Sequence, residues 1–159
     1  MIGLNLNTND SERCNLLCLL NIDYNDSGGG NNINNKIHIV HTGDNYVKFK
    51  SMRYKLVGIE LKMPTYHRLD NVRYDAELVF VHNSIVNKDV LRMSVFLEVS
   101  EDNTGTDPSF RDIMENIPDE KSSQKMPVNL DLNSLLPQIR SFYSYSVETN
   151  KTKKTKKTK

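Results

Sequence analysis

No apolar run in this 159-residue chain approaches the roughly 20 residues that cross a bilayer. The stretch from Leu16 to Leu20 is apolar but too short for a span or for the core of a leader peptide. The opening MIGLNLNTNDSERC has no basic segment ahead of an apolar one, so no secretory leader is expected and the expected compartment is the cytoplasm. Cysteine is scarce. Cys14 and Cys18 make no disulfide framework by themselves, and a zinc site built on them lacks two further ligands at suitable spacing. Reduced, partly buried thiols are the expectation. Basic charge is thin outside the C-terminus. Six of the 21 Lys and Arg residues sit in the final KTKKTKKTK, and the remaining 15 face 20 Asp and Glu. The net charge of +1 therefore combines an acidic body with a basic tail.

What is present is alternation. KIHIVHTG and YVKFK alternate on either side of a GDN turn, and SMRYKLVGIELKM (51–63) is a long strand candidate closed by Pro64. Strict alternation puts Tyr54, Leu56, Gly58, Glu60 and Lys62 on one of its faces, with Lys55, Val57, Ile59, Leu61 and Met63 on the other. After a turn at RLDN (68–71), VRYDAELVFVHN (72–83) has Tyr74, Ala76, Leu78, Phe80 and His82 on one face, opposite Asp75, Glu77, Val79 and Val81. LRMSVFLEV (91–99) is β-branched and aromatic and predicts a buried strand.

Helical signal is confined to SFRDIMENI (109–117), where Phe110, Ile113, Met114 and Ile117 recur at helical spacing, Asp107 or Ser109 can cap, and Pro118 stops the run. CNLLCLLNIDY suggests an early strand, VNLDLNSLLP (128–137) a strand followed by a turn, and IRSFYSYSV (139–147) an aromatic, alternating segment. The Gly- and Asn-rich NDSGGGNNINNK (25–36) and the polar 119–127 predict loops, and everything after Glu148 predicts disorder. The fold class is mostly β (α+β), with one or two short helices. It divides into a domain over 1–148 and a Lys/Thr-rich tail over 149–159.

The order of these segments resembles the α-carbonic anhydrase domain. YKLVGIELKM (54–63) is similar to the family's Tyr-x-Leu strand, which leads into a His-x-His pair and Trp. TYHRLDNVRYDAELVFVH (65–82) is similar to its Ser-Glu-His, turn and Glu-Leu-His stretch. VLRMSVFLEV (90–99) is similar to a strand reading roughly LAVLGVFLEV. VNLDLNSLLPQIRSFYSYS (128–146) is similar to the family's Leu-Leu-Pro and Tyr-x-Tyr segments, GLNLNT (3–8) resembles its Ser-Pro-Ile-Asn-Ile entry, and LNIDYND and NNINNKIHIV resemble the following strand and the Asn-Asn-Gly-His segment. The resemblance covers nearly all of 3–148 and implies a partial form of that fold, built on a central, twisted, largely antiparallel sheet.

The family hydrates CO2 with a zinc-bound hydroxide held by three imidazoles. On this resemblance the His-x-His pair reads Glu60-Leu61-Lys62 and the third ligand position reads Val79. A carboxylate can ligate zinc, a lysine ammonium opposes a dication, and valine has no donor atom. Arg92 falls where the family lines its CO2 pocket with a small aliphatic residue, and Ile37 where many members carry a proton-shuttling histidine. His38 is next in the chain, but a one-residue offset on a regular strand turns it to the opposite face. Asn150 falls at the family's gating threonine, and the family's later strands have no counterpart, which implies C-terminal truncation. Glu77, His67 and His82 match residues that are structural in the family: they hydrogen-bond and orient its site.

The expectation is a catalytically silent relative with no cofactor, acting as a binding or structural module. Lys62, Arg92 and Glu60 project into its cleft and suit a small polar or anionic ligand or an unknown protein partner. One rival is an active carbonate dehydratase with zinc relocated to His67, His82 and Glu60; another is a degenerate fragment without activity. Glu60 and Lys62, two apart on a strand, are expected to pair as ions. The tail lysines Lys151, Lys153, Lys154, Lys156, Lys157 and Lys159 suit nucleic acid or an anionic membrane by charge. No aromatic residue lies among them for base stacking, so a solvated end without a partner is the expectation.

Overall fold

A computed structural model describes residues 5–6, 12–14, 20–25, 30–34, 36–99, 108–119, 124–137 and 142–144. Cys18, Asp107, Asn150 and the whole Lys/Thr-rich tail lie outside the described residues.

The fold is organised by three long strands of the chain's middle: β7 (Met52–Lys62), β9 (Ala76–Ser84) and β10 (Val90–Leu97). They pair antiparallel in the order β10-β9-β7. On its other side β7 has two successive partners. Its first residues pair with β6 (Tyr46–Phe49), from Phe49 opposite Met52 to Tyr46 opposite Lys55. Its later residues pair with β5 (His38–His41), with Val40 opposite Gly58 and His38 opposite Glu60. β3 (Leu20–Asp23) extends the sheet beyond β6, and β4 (Asn31–Ile33) and β11 (Met126–Val128) extend it beyond β5. Short pairs complete the picture: β1 (Asn5–Leu6) runs parallel to β8 (Arg68–Leu69), and β2 (Glu12–Cys14) antiparallel to β12 (Phe142–Ser144). The helix α1 spans Pro108–Glu115.

Where β7 changes partner its register against β9 slips: Leu56 faces His82, yet Gly58 faces Val81. Val57 is the extra residue of a β-bulge, which re-aims a strand by one residue. The strict alternation expected for 51–63 therefore fails at its midpoint. Tyr54 and Leu56 are buried before the bulge and Ile59 and Leu61 after it, so Leu56 shares one core with residues of the opposite phase. β9 has no such irregularity. Ala76, Leu78 and Phe80 join that core and His82 is buried on the same side, as the alternation predicts. Ile33, Ile39, Val47, Ile113 and Leu132, all wholly buried, fill the rest. Each such side chain contributes about 1.5–3 kcal/mol by leaving water.

Several expectations need correction. LRMSVFLEV is not a buried strand: β10 stands at the end of the sheet, with Leu91, Met93 and Val95 only half-buried against the core. Residues 25–36 are not all loop, because Asn31–Ile33 gain ladder hydrogen bonds from both β5 and β11. Strand β11 begins at Met126, inside the expected 119–127 loop, and the chain turns from Leu132 onward. In α1, Ile113 is buried and Phe110 packs on the core, but Met114 is exposed, so the apolar stripe is narrower than its spacing implied. The turn at 68–71 is confirmed: Asp70 and Asn71 both have positive φ, and Leu69 and Val72 exchange two hydrogen bonds. That is the backbone of a two-residue hairpin, which suits Asp and Asn. Lys50 and Ser51 take the same left-handed pair between β6 and β7 without a residue type that favours it.

Candidate functional site

The sheet has a second face, opposite the core. Alternation and register gather on it Glu60 and Lys62 of β7, Glu77, Val79 and Val81 of β9, and Arg92 and Ser94 of β10. Here lie all three positions that the resemblance assigns to zinc ligands. Glu60 and Lys62, two apart on a strand, lean together into an ion pair of 2.8 Å, as expected from the sequence. Arg92 Nη1 stands 3.8 Å from the other oxygen of the same carboxylate. Val79, directly opposite Glu60, contributes only methyl groups.

Partial burial works to raise the Glu60 pKa, but Lys62 above all, then Arg92 and His38, draw it below the ordinary carboxylate value. The carboxylate is thus committed to two cations and is a poor metal donor. With an ammonium at the second position and no donor at the third, these residues do not fit a zinc ion. Among the described residues no group of three or more His, Cys, Asp or Glu is arranged to hold a metal.

His38 corrects the sequence reading. Ile37, with a φ of 52°, packs against the core, and it is the next residue, His38, that takes the Glu60 side. Asn34 Oδ1 accepts the backbone N–H of both Lys36 and His38 and shapes this entry into β5. His38 pairs opposite Glu60 and shares its face, with its ring over Gly58. A Cβ on Gly58 would stand 2.8 Å from both His38 Nε2 and the Ile39 carbonyl, so this close approach requires glycine. The Asn-rich segment before β5 was the available signal, since Asn side chains compete for backbone N–H groups.

Glu77, His67 and His82, which the resemblance likens to structural residues of the family, are each hydrogen-bonded. Glu77 is wholly buried. Its Oε2 accepts the N–H of Tyr66 (3.0 Å) and of His67 (3.1 Å), and its Oε1 accepts from His67 Nδ1 at 2.6 Å. Desolvation favours its neutral form, but hydrogen bonds from the His67 ring, Ser94 and the His67 backbone outweigh this and set the pKa below the ordinary value. His82 lies on the other face, wholly buried, sharing a 2.7 Å hydrogen bond between its Nε2 and the Tyr24 hydroxyl. Burial raises the Tyr24 pKa and lowers that of His82 to about 4. The structure therefore does not bring His67, His82 and Glu60 together: the sheet itself separates His82 from the other two.

No family model matches the chain. A carbonic anhydrase of Nostoc sp. (strain PCC 7120 / SAG 25.82 / UTEX 2576) is 27% identical over 121 residues, which is 69% of this chain and 44% of that protein. The α-carbonic anhydrase of Thermovibrio ammonificans, solved with the inhibitor sulfanilamide, superposes with a TM-score of 0.71 at 25% identity, over 86% of this chain and 59% of that one. The α-carbonic anhydrase of Photobacterium profundum does so with a TM-score of 0.69 at 19% identity, over 87% and 63%. By fold and by sequence, this chain is related to the α-carbonic anhydrases. It spans about half the length of the relatives it matches. Among the described residues no helix is long and apolar enough to cross a membrane.

Proposed function

We propose that this chain is a non-catalytic relative of the carbonic anhydrases whose former zinc face binds a small anion. One observation carries the reading: the single carboxylate of Glu60 is flanked by two cations, Lys62 at 2.8 Å and Arg92 at 3.8 Å, where the enzyme family holds its dication. Both cations are substantially exposed and free to turn part of their hydrogen-bonding capacity outward. An oxyanion such as bicarbonate finds there the fork of an arginine and the point charge of a lysine. Glu60, Lys62 and Val79, at the three ligand positions, do not suit zinc. The intact Glu77–His67 pair fits this reading as a fold contact, since it fixes the loop after β7 whether or not chemistry occurs.

The test uses the purified full chain. CO2 hydration, followed by stopped flow with and without added zinc, is expected to stay at the buffer rate. The thermal midpoint is expected to rise with bicarbonate concentration, by linkage, and to lose that rise in a Lys62→Ala, Arg92→Ala double variant. Hydration that appears with zinc and disappears with a chelator refutes the silent reading. An undiminished bicarbonate effect in the double variant refutes the anion site.

A further inference from the structure

Strand β10 ends the sheet, and among the described residues nothing pairs with its outer edge. Proline, a bulge or repeated charge usually blunts such an edge. Over Val90–Leu97 there is no proline, the register against β9 is unbroken, and Arg92 is the one charged residue. The Ser84 N–H donates to the Asp89 carbonyl at 2.9 Å, which turns Asp89 toward β9. By alternation Val90, Arg92, Ser94 and Phe96 then aim both N–H and C=O outward, where a further strand can meet them.

The side chains are left incomplete along the same edge. Leu91, Met93, Val95 and Leu97 lie on the core side and are only partly covered. Directly after them Glu98 is exposed and Val99 is 78% exposed. The Val99 N–H donates to Asp75 Oδ2 at 2.8 Å, which ties this end of the chain to the segment that enters β9. An apolar row with neighbours on one side only is completed by a strand of the same face pattern.

A copy of the strand itself has that pattern. A two-fold axis normal to the sheet sets β10 antiparallel to its own copy and keeps each face continuous. The register then decides which charges meet. An axis through Arg92 sets two guanidinium groups against each other, and one through Met93 leaves them diagonal neighbours. An axis through Ser94 gives Arg92 only Phe96 to face. An axis through Val95 places Arg92 opposite Glu98 of the second copy, and symmetry makes that pair twice. In this register Leu91 meets Val99 and Met93 meets Leu97, so the core-side contacts are apolar throughout.

We propose that the outer edge of β10 is a homodimer interface, on which a second copy of this chain adds its own β10 antiparallel about Val95, with Arg92 and Glu98 paired across the seam. The two sheets become one, and the row from Leu91 to Leu97 gains its second neighbour. The pairing does not rest on the anion reading, since the Arg92 fork has donors for both Glu60 and Glu98. A bicarbonate titration decides the one and a mass measurement the other.

The experiment is sedimentation equilibrium of the full chain at loading concentrations from about 10 µM to about 1 mM, the span of modest affinities. The mass is expected to rise toward twice that of the monomer. Arg92→Glu and Glu98→Arg each set like charges across the seam, and each alone should weaken the dimer about tenfold. Mixed in equal amounts the two variants restore both ion pairs, and the mixture should associate as the unaltered chain does. A monomer at every concentration overturns the second copy as occupant and leaves the edge to an extended segment of a different chain. A dimer undiminished in both variants overturns this edge as the interface. A mixture that associates no better than its components overturns the register about Val95.

Discussion

Lowering the pH from 6.5 to 4 should destabilise this fold by a calculable amount through one residue. His82 is wholly buried beside Tyr24, and desolvation, with a smaller push from His41, lowers its pKa from 6.5 to about 4 against an opposing pull from the backbone of Leu91 and Phe80. In the unfolded chain the ring titrates near 6.5. Between these values the unfolded state binds a proton that the folded state refuses, so stability must fall as pH falls. The contribution is fully present above about pH 6.5 and is lost toward pH 4. At about 1.4 kcal/mol per pKa unit, the span is worth about 3 kcal/mol, a large share of the 5–15 kcal/mol typical of a domain. Urea unfolding at pH 7, 6, 5 and 4 measures it, with His82→Gln as the reference lacking the titrating group. The native protein should lose about 3 kcal/mol more than the variant over this range. Parallel pH profiles for the two proteins would refute the assignment of the slope to His82.

Two further perturbations test the packing of the site face. Glu77→Gln can keep an oxygen on the Tyr66 and His67 N–H groups only by turning its amide NH2 toward His67 Nδ1, which now donates to a carboxylate oxygen, and the lost charge and that mismatch should cost about 2–4 kcal/mol; a fall of less than about 1 kcal/mol in urea unfolding would mean the buried charge is not holding the 65–67 segment. Gly58→Ala drives a methyl group to 2.8 Å from His38 Nε2 and the Ile39 carbonyl and should cost about 1–3 kcal/mol. Its His38 ring signals should move in NMR spectra, and unchanged signals would show that the close approach is not maintained.

Much of this fold was legible because β9 is regular. Its alternation alone sorted Leu78, Phe80 and His82 from Glu77, Val79 and Val81, and the structure keeps that division. The pairing of Glu60 with Lys62 followed from the same periodicity. The bulge at Val57 was not legible, since Leu56, Val57, Ile59 and Leu61 are all apolar and the pattern reads equally well in either phase. The placement of His38 was lost for a local reason: a left-handed Ile37 is a conformation that β-branched residues rarely adopt. Strand β10 looked buried because its composition is apolar, whereas burial depends on what lies beside it, which composition does not encode. The hydrogen bonds that run from Asn31 through His41 to Asn45 join residues brought together by pairing between β4 and β5, so no spacing along the sequence announces them.

The bulge also decides where this protein can change length. Strand β7 holds one residue more than the ladder with β9 uses, and that surplus is Val57. Excision of Val57 leaves every other residue opposite its present partner, with Leu56 still against His82 and Gly58 still against Val81. Removing Glu60 instead forces a choice: either Leu61 and Lys62 swap sides, which drives an ammonium into the oil, or the slack is drawn forward and Ile59 turns out toward water. Descendants of this sequence that differ by a single codon in this strand should therefore have gained or lost it beside Leu56, and seldom among the charged residues that follow.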